Sequence, residues 1–265
     1  MNVLELREKL SNFKNEKQTF INDTKMWVEI ARASIYKISE NDEGYSIHEI
    51  NGKTRIINKE DMSILINRIN NIDIYNSAYV ILISNVEDYF NKIMRLLLSY
   101  DNNRIKVTIP NLSMESNIEI TDFISNSKEE MINKIIEQRI SSIFYASPKK
   151  QFEYFDKALG ILIDEDNWYK WIEYKARRDV IIHNNSIINE IYFSKVNKYT
   201  KFKIGEMVTF DEEEFKKIIT FFNNIIDVID TLIRKEYHIP SQDEAIQFFS
   251  KKDLKMLDDL NGEII

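Results

Sequence analysis

The segment "IYNSAYVILISNVEDYFNKIMRLLLSY", residues 74–100, decides the fold class of this chain. Its apolar side chains recur at intervals of three and four residues, at Ile83, Val86, Phe90, Ile93, Leu97 and Tyr100. This period matches the turn of an α-helix, so the segment predicts a long helix with one buried face. The run Asp101-Asn102-Asn103 predicts its end.

The composition of the whole chain agrees with this interpretation. The 265 residues include only 5 Gly and 3 Pro, so few residues break helices. A hydrophobic content of 43% is enough for a sizeable core and excludes a disordered chain. The expected fold class is mainly α, with helices bundled around one core.

Before the long helix, the sequence predicts helices and one small β-element. Two amphipathic helices are expected at residues 2–19 and 23–39. Asn51-Gly52, between two alternating segments, is a strong signal for a β-hairpin. A further helix is expected to start at Asn58 and to end near Asn70.

After the long helix, two weak strand signals precede more helices. The alternating segment "RIKVTIP", residues 104–110, predicts a short strand, and Ile118–Ile120 a second one. The expected helices run over 128–145, from Pro148 to about Gly160, from Asp164 towards His183, over 211–237 and in a short charged tail.

Charge and cysteine usage limit the possible functions. The net charge is −7, so the chain is not a basic coat protein, and any nucleic-acid contact must be local. The absence of cysteine excludes disulfides and thiolate metal sites. No Gly-rich phosphate loop and no spaced His/carboxylate set is present, so neither a metal nor a cofactor is expected.

The termini and apolar runs give no membrane signal. The start "MNVLELREKL" carries acids and lacks the apolar region of a secretory signal. The densest apolar run, "AYVILIS", is too short to span a bilayer. The expectation is a soluble, cytoplasmic protein with no membrane contact.

The segment "ARRDVIIHNN", residues 176–185, has two interpretations. As a helix end, its cations favour the helix dipole, and Asn184 and Asn185 suit the turn that follows. As a nuclease motif, Arg178 supplies a forked guanidinium that fits phosphate oxygens, and His183 supplies an acid or a base near neutral pH. Arg177 is a second, supporting cation. The spacing alone does not decide between them.

The wider sequence resembles the HEPN-domain ribonucleases. Their signature is an Arg, a polar residue, a few mostly apolar residues and a His often followed by Asn; Arg178, Asp179, His183 and Asn184 match it. The segment "LISNVEDYFNKIMRLL" is similar to the first long helix of that family, with its acid and aromatic at Glu87 and Tyr89. The segment "IIEQRISSIFYASPKKQFEYFDKALGI" is similar to the middle helices.

The resemblance implies a division of the chain. Residues 74–236 would form a HEPN-like up-and-down helical bundle, residues 1–73 an N-terminal helical extension with the β-hairpin, and residues 237–265 a C-terminal tail helix. The sequence of residues 1–73 shows no resemblance to a known family.

The resemblance also implies an activity. It would be metal-independent endoribonuclease cleavage of RNA in a homodimer, by a toxin or antiphage defence effector that has a neutralising antitoxin or another defence-system partner. Some family toxins carry a Tyr two residues after the His; here Asn185 stands there, which argues against modification of that residue. Other members lack catalysis, so a non-catalytic dimerisation or partner-binding module is the alternative.

Helical geometry gives each motif residue a possible role. Arg178 and His183 lie about 140° apart around an ideal helix, whereas Asp179 and His183 share a face. Asp179 could therefore orient the imidazole or pair with a nearby Arg. Glu87, at the edge of the apolar stripe, could position His183 or Arg178 or be an ordinary boundary carboxylate. A homodimer would bring two motifs, and thus two histidines, into one cleft.

A lysine run after the motif is a candidate RNA path. The cations stand without an acid among them and alternate with aromatics: Lys195, Lys198, Lys201 and Lys203 with Tyr199. Such a pattern suits phosphate contact and base stacking. A solvated loop is the alternative interpretation.

Overall fold

The computed structural model describes residues 1–39, 45–48, 50–113, 124–196 and 199–240. The described chain is mainly helical, as predicted. Its elements are α1 (Val3–Ser39), β1 (Tyr45–His48), β2 (Thr54–Ile57), α2 (Lys59–Arg68), α3 (Ile74–Tyr100), α4 (Lys128–Phe144), α5 (Pro148–Lys157), α6 (Glu165–His183), α7 (Glu190–Val196) and α8 (Glu212–Glu236).

Helix α1 is continuous, so the prediction of two helices at residues 2–19 and 23–39 was wrong. No Gly or Pro stands between them to break the backbone ladder. Thr24 donates its hydroxyl to the carbonyl of Phe20 within the helix, which satisfies the side chain without disrupting the turn. The buried residues Ile21 and Val28 then continue the apolar face across the expected gap.

Helix α1 packs antiparallel to α3 and to α8. Lys17 forms an ion pair with Asp88 of α3, and further along α1 Arg32 contacts Tyr75, earlier in α3. Towards α8, Arg234 donates to the Ser11 hydroxyl at 3.0 Å. The buried side chains of α1 belong to the same apolar core as those of α3 and α8, so residues 1–39 contribute to the body of the bundle.

The chain from α2 into α3 remains helical throughout. A single π-helical turn, Ile69–Asp73, joins the two helices, and the boundary suggested at residues 73 and 74 lies within this continuous segment. Asn58 caps α2 by accepting a hydrogen bond from the backbone N–H of Asp61, which confirms the predicted start. The predicted end near Asn70 falls in the π-turn.

The β-hairpin is confirmed. Strands β1 and β2 pair antiparallel, with Tyr45 opposite Ile57 and His48 opposite Thr54. Gly52 has φ +79°, a left-handed backbone conformation that glycine adopts without steric cost. Among the described residues these two strands form the one sheet.

The strand predicted at residues 104–110 is wrong. The chain instead forms a 3₁₀-turn, Asn102–Lys106, which Asp101 caps by accepting from the N–H of Asn103. The Ile105 carbonyl accepts from Arg139 of α4, so it is bonded to a side chain and not to a strand. The strand predicted at Ile118–Ile120 and most of the predicted tail helix lie outside the described residues.

Helix α6 lies against both α3 and α8 through aromatic side chains. Phe90 of α3 stacks on Trp171, their ring centroids 5.2 Å apart. Phe221 of α8 meets Tyr174 edge to face at 5.1 Å. Asp164 caps the helix through the N–H of Asn167, as its sequence predicted. These contacts fix the helix that carries the Arg–His segment. Among the helices described, none has a stretch long and apolar enough to cross a membrane.

Candidate active site

The Arg–His segment occupies the last turns of α6. His183 is the final helical residue and is exposed, and its side chain forms no hydrogen bond or ion pair with the described part of the chain. Asn184 is the C-cap, with its N–H donating to the carbonyl of Val180 at 2.9 Å. The prediction of a helix end is therefore confirmed, and a helix end is compatible with a nuclease motif at the same residues.

The turn after His183 is held in an uncommon conformation. Asn185 and Ser186 have φ +48° and +63°, which side chains other than glycine rarely adopt. Ser186 is anchored three times: its N–H donates to Val180, its carbonyl accepts from Val208, and its hydroxyl accepts from Asn76 of α3. These bonds fix the backbone beside the exposed imidazole.

Arg178 is paired with Glu87 of α3. Its Nη2 donates to Glu87 Oε2 at 2.7 Å, and Lys175, one turn earlier on α6, approaches Glu87 Oε1 at 3.0 Å. Both members of the Arg178–Glu87 pair are 22% exposed, so the pair is partly shielded from solvent. Of the roles considered for Glu87, the structure shows the contact with Arg178 and none with His183.

Asp179 is oriented towards cations. Its Oδ1 lies 3.5 Å from Arg178 Nε, and its Oδ2 accepts from Lys195 of α7 at 2.8 Å. No hydrogen bond joins it to His183, although the two share a helix face. The carboxylate is ion-paired with these two cations and not with the imidazole at the helix end. The structure thus shows the arginine pairing considered for Asp179 and not the orientation of the imidazole.

Arg177, the other cation of the segment, faces the interior. Its Nε donates to Glu173 and its Nη1 to Glu214 of α8 at 2.8 Å. The guanidinium also lies over the rings of Tyr174 and Phe202, about 5 Å from each centroid. Buried on this side, Arg177 is a packing residue of α6. It does not line the cleft that holds Arg178, so a supporting role there is not what the structure shows.

A cleft of about 740 Å³ opens beside Arg178. Its walls are α6, the last turn of α7 and the turn between α4 and α5. The charged residues that line it are Glu87, Lys149, Lys175, Arg178, Asp179 and Lys195, so cations outnumber carboxylates. The local charge therefore differs in sign from the net charge of −7 of the whole chain. His183 does not line this cleft.

The lysine run divides between different surroundings. Lys195 lines the cleft, whereas Lys201 pairs with Glu214 at 2.9 Å in a separate depression. Lys203 is exposed, and Lys198 lies outside the described residues. Tyr199 stacks on Tyr169 with the rings parallel and the centroids 4.4 Å apart. The described lysines of the run therefore do not line one common groove.

Sequence reasoning missed Lys175 as a site residue. It stands three residues before Arg178, a spacing that places both on one helix face, so the spacing rule would have found it. The turn at Tyr145–Lys149 was missed as a cleft wall, because its approach to α6 depends on the packing of α4 and α5 and leaves no local signal.

The cleft can bind a phosphate, and the residues that the structure describes offer no cage for a metal. Among the described residues, no three of His, Asp and Glu cluster in a way that could hold a metal ion. Arg178 and Lys175 lie side by side in the cleft, each with donors in addition to those used by Glu87.

Searches with the sequence and the structure matched no protein-family model, no curated protein and no solved structure.

Proposed function

We propose that this protein is a metal-independent endoribonuclease that uses Arg178 and His183. The observation that carries the proposal is their placement on α6. Arg178 is held by Glu87 in a cation-rich cleft, and five residues later His183 stands exposed at the helix end with its imidazole unpaired among the described residues.

The chemistry needs three groups. A base removes the proton from the ribose 2′-hydroxyl, whose oxygen then bonds to phosphorus. The bond from phosphorus to the 5′-oxygen breaks, and an acid returns a proton to that oxygen. Histidine can serve as base or acid, and arginine stabilises the negative charge on the equatorial oxygens. The products are a 2′,3′-cyclic phosphate and a 5′-hydroxyl.

One chain does not bring these groups together. On an ideal helix, Arg178 and His183 are separated by about 7.5 Å along the axis and about 140° around it. In agreement, the cleft that contains Arg178 excludes His183. We therefore propose a homodimer in which the helix ends of two copies meet, so that two histidines and two arginines share one site.

The surface around His183 supports such contact. Several large apolar side chains near it in the chain are exposed: Ile182, Ile187, Ile191 and Met207. Ile187 and Met207 lie together, because the two residues form an isolated antiparallel β-bridge. Exposed apolar residues that cluster near a polar group are typical of interfaces.

The biological role is proposed from the family resemblance. It would be that of a toxin or antiphage effector in the cytoplasm, with cellular RNA as substrate and an antitoxin or other defence-system protein as partner. The geometry of the cleft supports an RNA substrate only through its excess of cations.

The test is cleavage of RNA by purified protein in the presence of EDTA. We expect fragments that end in 2′,3′-cyclic phosphate, identified by mass spectrometry, and loss of cleavage in His183→Ala. The control is His238→Asn, which removes another exposed imidazole, suits the φ of +50° at that position and should leave the rate unchanged. Strict dependence on Mg²⁺ with 3′-hydroxyl products would refute the mechanism. If the folded wild-type dimer does not cleave RNA, the alternative function, a non-catalytic dimerisation module, is favoured.

A further inference from the structure

Gln151, near the start of α5, is fixed in a way that suits recognition. It is 8% exposed. Its Nε2 donates to the carbonyls of Phe144 and Ala146, at 3.1 and 3.0 Å, across the turn between α4 and α5. Because both partners are acceptors, the amide nitrogen must face the turn and the amide oxygen must face away from it.

The amide oxygen of Gln151 has no partner among the described residues. Both hydrogen bonds of this side chain are made by Nε2, and no described residue donates to Oε1. The open space that Gln151 lines is the cleft of Arg178 and a small cavity beneath it. An acceptor of fixed orientation, on a side chain more than nine-tenths buried, is thus available from that space.

The cavity itself is too small for a ligand. Its volume of about 10 Å³ suits a single water molecule. A ligand that reaches Gln151 must therefore lie in the cleft above, whose volume of about 740 Å³ is ample for a nucleotide.

Two neighbours of Gln151 complete the surface. Tyr145, at the end of α4, is 90% exposed and lines the cleft. Lys149, in the first turn of α5, is exposed and lines it as well. Trp168 donates its indole N–H to the carbonyl of Pro148 at 3.1 Å, so the turn that presents these residues is held to α6.

We propose that this turn is a nucleobase subsite for single-stranded RNA. The Tyr145 ring stacks on a base, Lys149 contacts a phosphate, and Gln151 Oε1 accepts a hydrogen bond from the exocyclic amino group of adenine or cytosine. Uracil is the poorer ligand, because its one N–H donor stands between two carbonyls. The inference rests on the proposed ribonuclease function and adds a preference among bases to it.

Binding of uncleavable oligonucleotides tests the subsite apart from catalysis. The probes are 2′-O-methyl trinucleotides of adenosine and of purine riboside, which lacks the 6-amino group and is otherwise alike. The wild-type protein should bind the adenosine probe tighter, by roughly 2- to 10-fold, the range for one neutral hydrogen bond. In Gln151→Met this preference should disappear, whereas in the matched control Gln138→Met, whose side chain does not line the cleft, it should persist.

A second variant covers the case in which Gln151→Met disturbs the turn. Tyr145→Ala removes an exposed ring and should leave folding intact, yet weaken both probes by roughly 5- to 100-fold. An unchanged preference in Gln151→Met, unchanged affinity in Tyr145→Ala, or no binding of the adenosine probe would overturn the subsite. If the probes behave as expected but natural RNA stays uncut, the nuclease proposal fails and the subsite stands.

Discussion

Replacing the buried Arg177 should lower the free energy of unfolding more than replacing its neighbour Arg178. The side chains of Arg177 and Glu173 are 6% and 3% exposed, and they form a direct ion pair. Arg177→Met keeps most of the apolar stem against Tyr174 and Phe202 but leaves the Glu173 carboxylate buried without its cation. Such a loss typically costs about 3–5 kcal/mol in the free energy of unfolding.

The same change at Arg178 should cost far less. Both partners of the Arg178–Glu87 pair are 22% exposed, and Lys175 remains beside Glu87 after the change. A partly solvated pair of this kind contributes about 1 kcal/mol or less. Urea unfolding followed by circular dichroism at neutral pH measures both variants. RNA cleavage should show the reverse order, with Arg178→Met folded and inactive.

A second substitution separates an unpaired buried charge from lost packing. Glu173→Gln should destabilise the wild-type protein, because it weakens the bond with Arg177. In the Arg177→Met background it should instead stabilise, by about 1 kcal/mol, because a neutral amide replaces the stranded carboxylate and Tyr192 still finds an acceptor. If Glu173→Gln destabilises both backgrounds equally, the buried pair is not what holds α6 in place. If Arg177→Met lowers the free energy of unfolding no more than Arg178→Met does, the interior position assigned to Arg177 is wrong.

The remaining predictions concern the site and acid sensitivity. Arg178→Lys keeps the charge but loses the bidentate fork, so the cleavage rate should fall about 10²-fold; a rate near that of the wild type would mean that charge alone suffices. Mixing wild-type chains with excess His183→Ala chains should lower the activity per wild-type chain sharply, since loss of one proton carrier costs about 10²- to 10⁴-fold; a fully active mixture would refute the shared cleft. Burial opposes ionisation of Glu214, but hydrogen bonds from Arg177 and Lys201 hold its pKa below the usual value. The ionised Glu214 therefore stabilises the fold fully above the unfolded pKa of about 4.3, and this stabilisation is lost as pH falls through the folded pKa. Glu214→Gln should accordingly lower the free energy of unfolding most at neutral pH and less in acid. A loss of stability that does not depend on pH would contradict this.

The elements that sequence predicted well are those whose signals are local. Asn58, Asp164 and Asp211 each accept a backbone N–H three residues later, so a cap can be identified within a few residues of sequence. Helix α3 was predicted because its apolar stripe runs without interruption. The hairpin was predicted because Asn51-Gly52 favours the turn itself.

The elements that sequence misjudged depend on distant partners. Alternation at residues 104–110 indicates a strand only where another strand can pair with it, and here Arg139 of α4 takes the Ile105 carbonyl. The burial of Ile21, at the join within α1, depends on the core that it shares with side chains of α3 and α8. Neither fact is present in the local pattern.

The candidate site shows the same division. Arg178 and His183 were selected by chemistry and by the family resemblance, since their spacing alone did not distinguish a nuclease from a helix end. Which arginine faces the cleft is decided by their neighbours: Glu214 of α8 draws Arg177 inwards, and Glu87 of α3 holds Arg178 at the cleft. Adjacent positions on a helix are about 100° apart, and here the two arginines contact carboxylates of different helices.

This separation of the two arginines bears on how one helix can combine stability with the proposed catalysis. A cation used on a phosphate must keep donors free, which makes it a poor anchor for the helix. Arg177, bonded to two carboxylates and covered by two rings, can anchor α6, so Arg178 need not. The exposed His183 then remains at a helix end whose position is set by Arg177 and by the anchored turn at Ser186. An imidazole held in place by its backbone, with no side-chain partner among the described residues, retains both nitrogens for proton transfer to a substrate, and that is the condition the two-histidine mechanism requires.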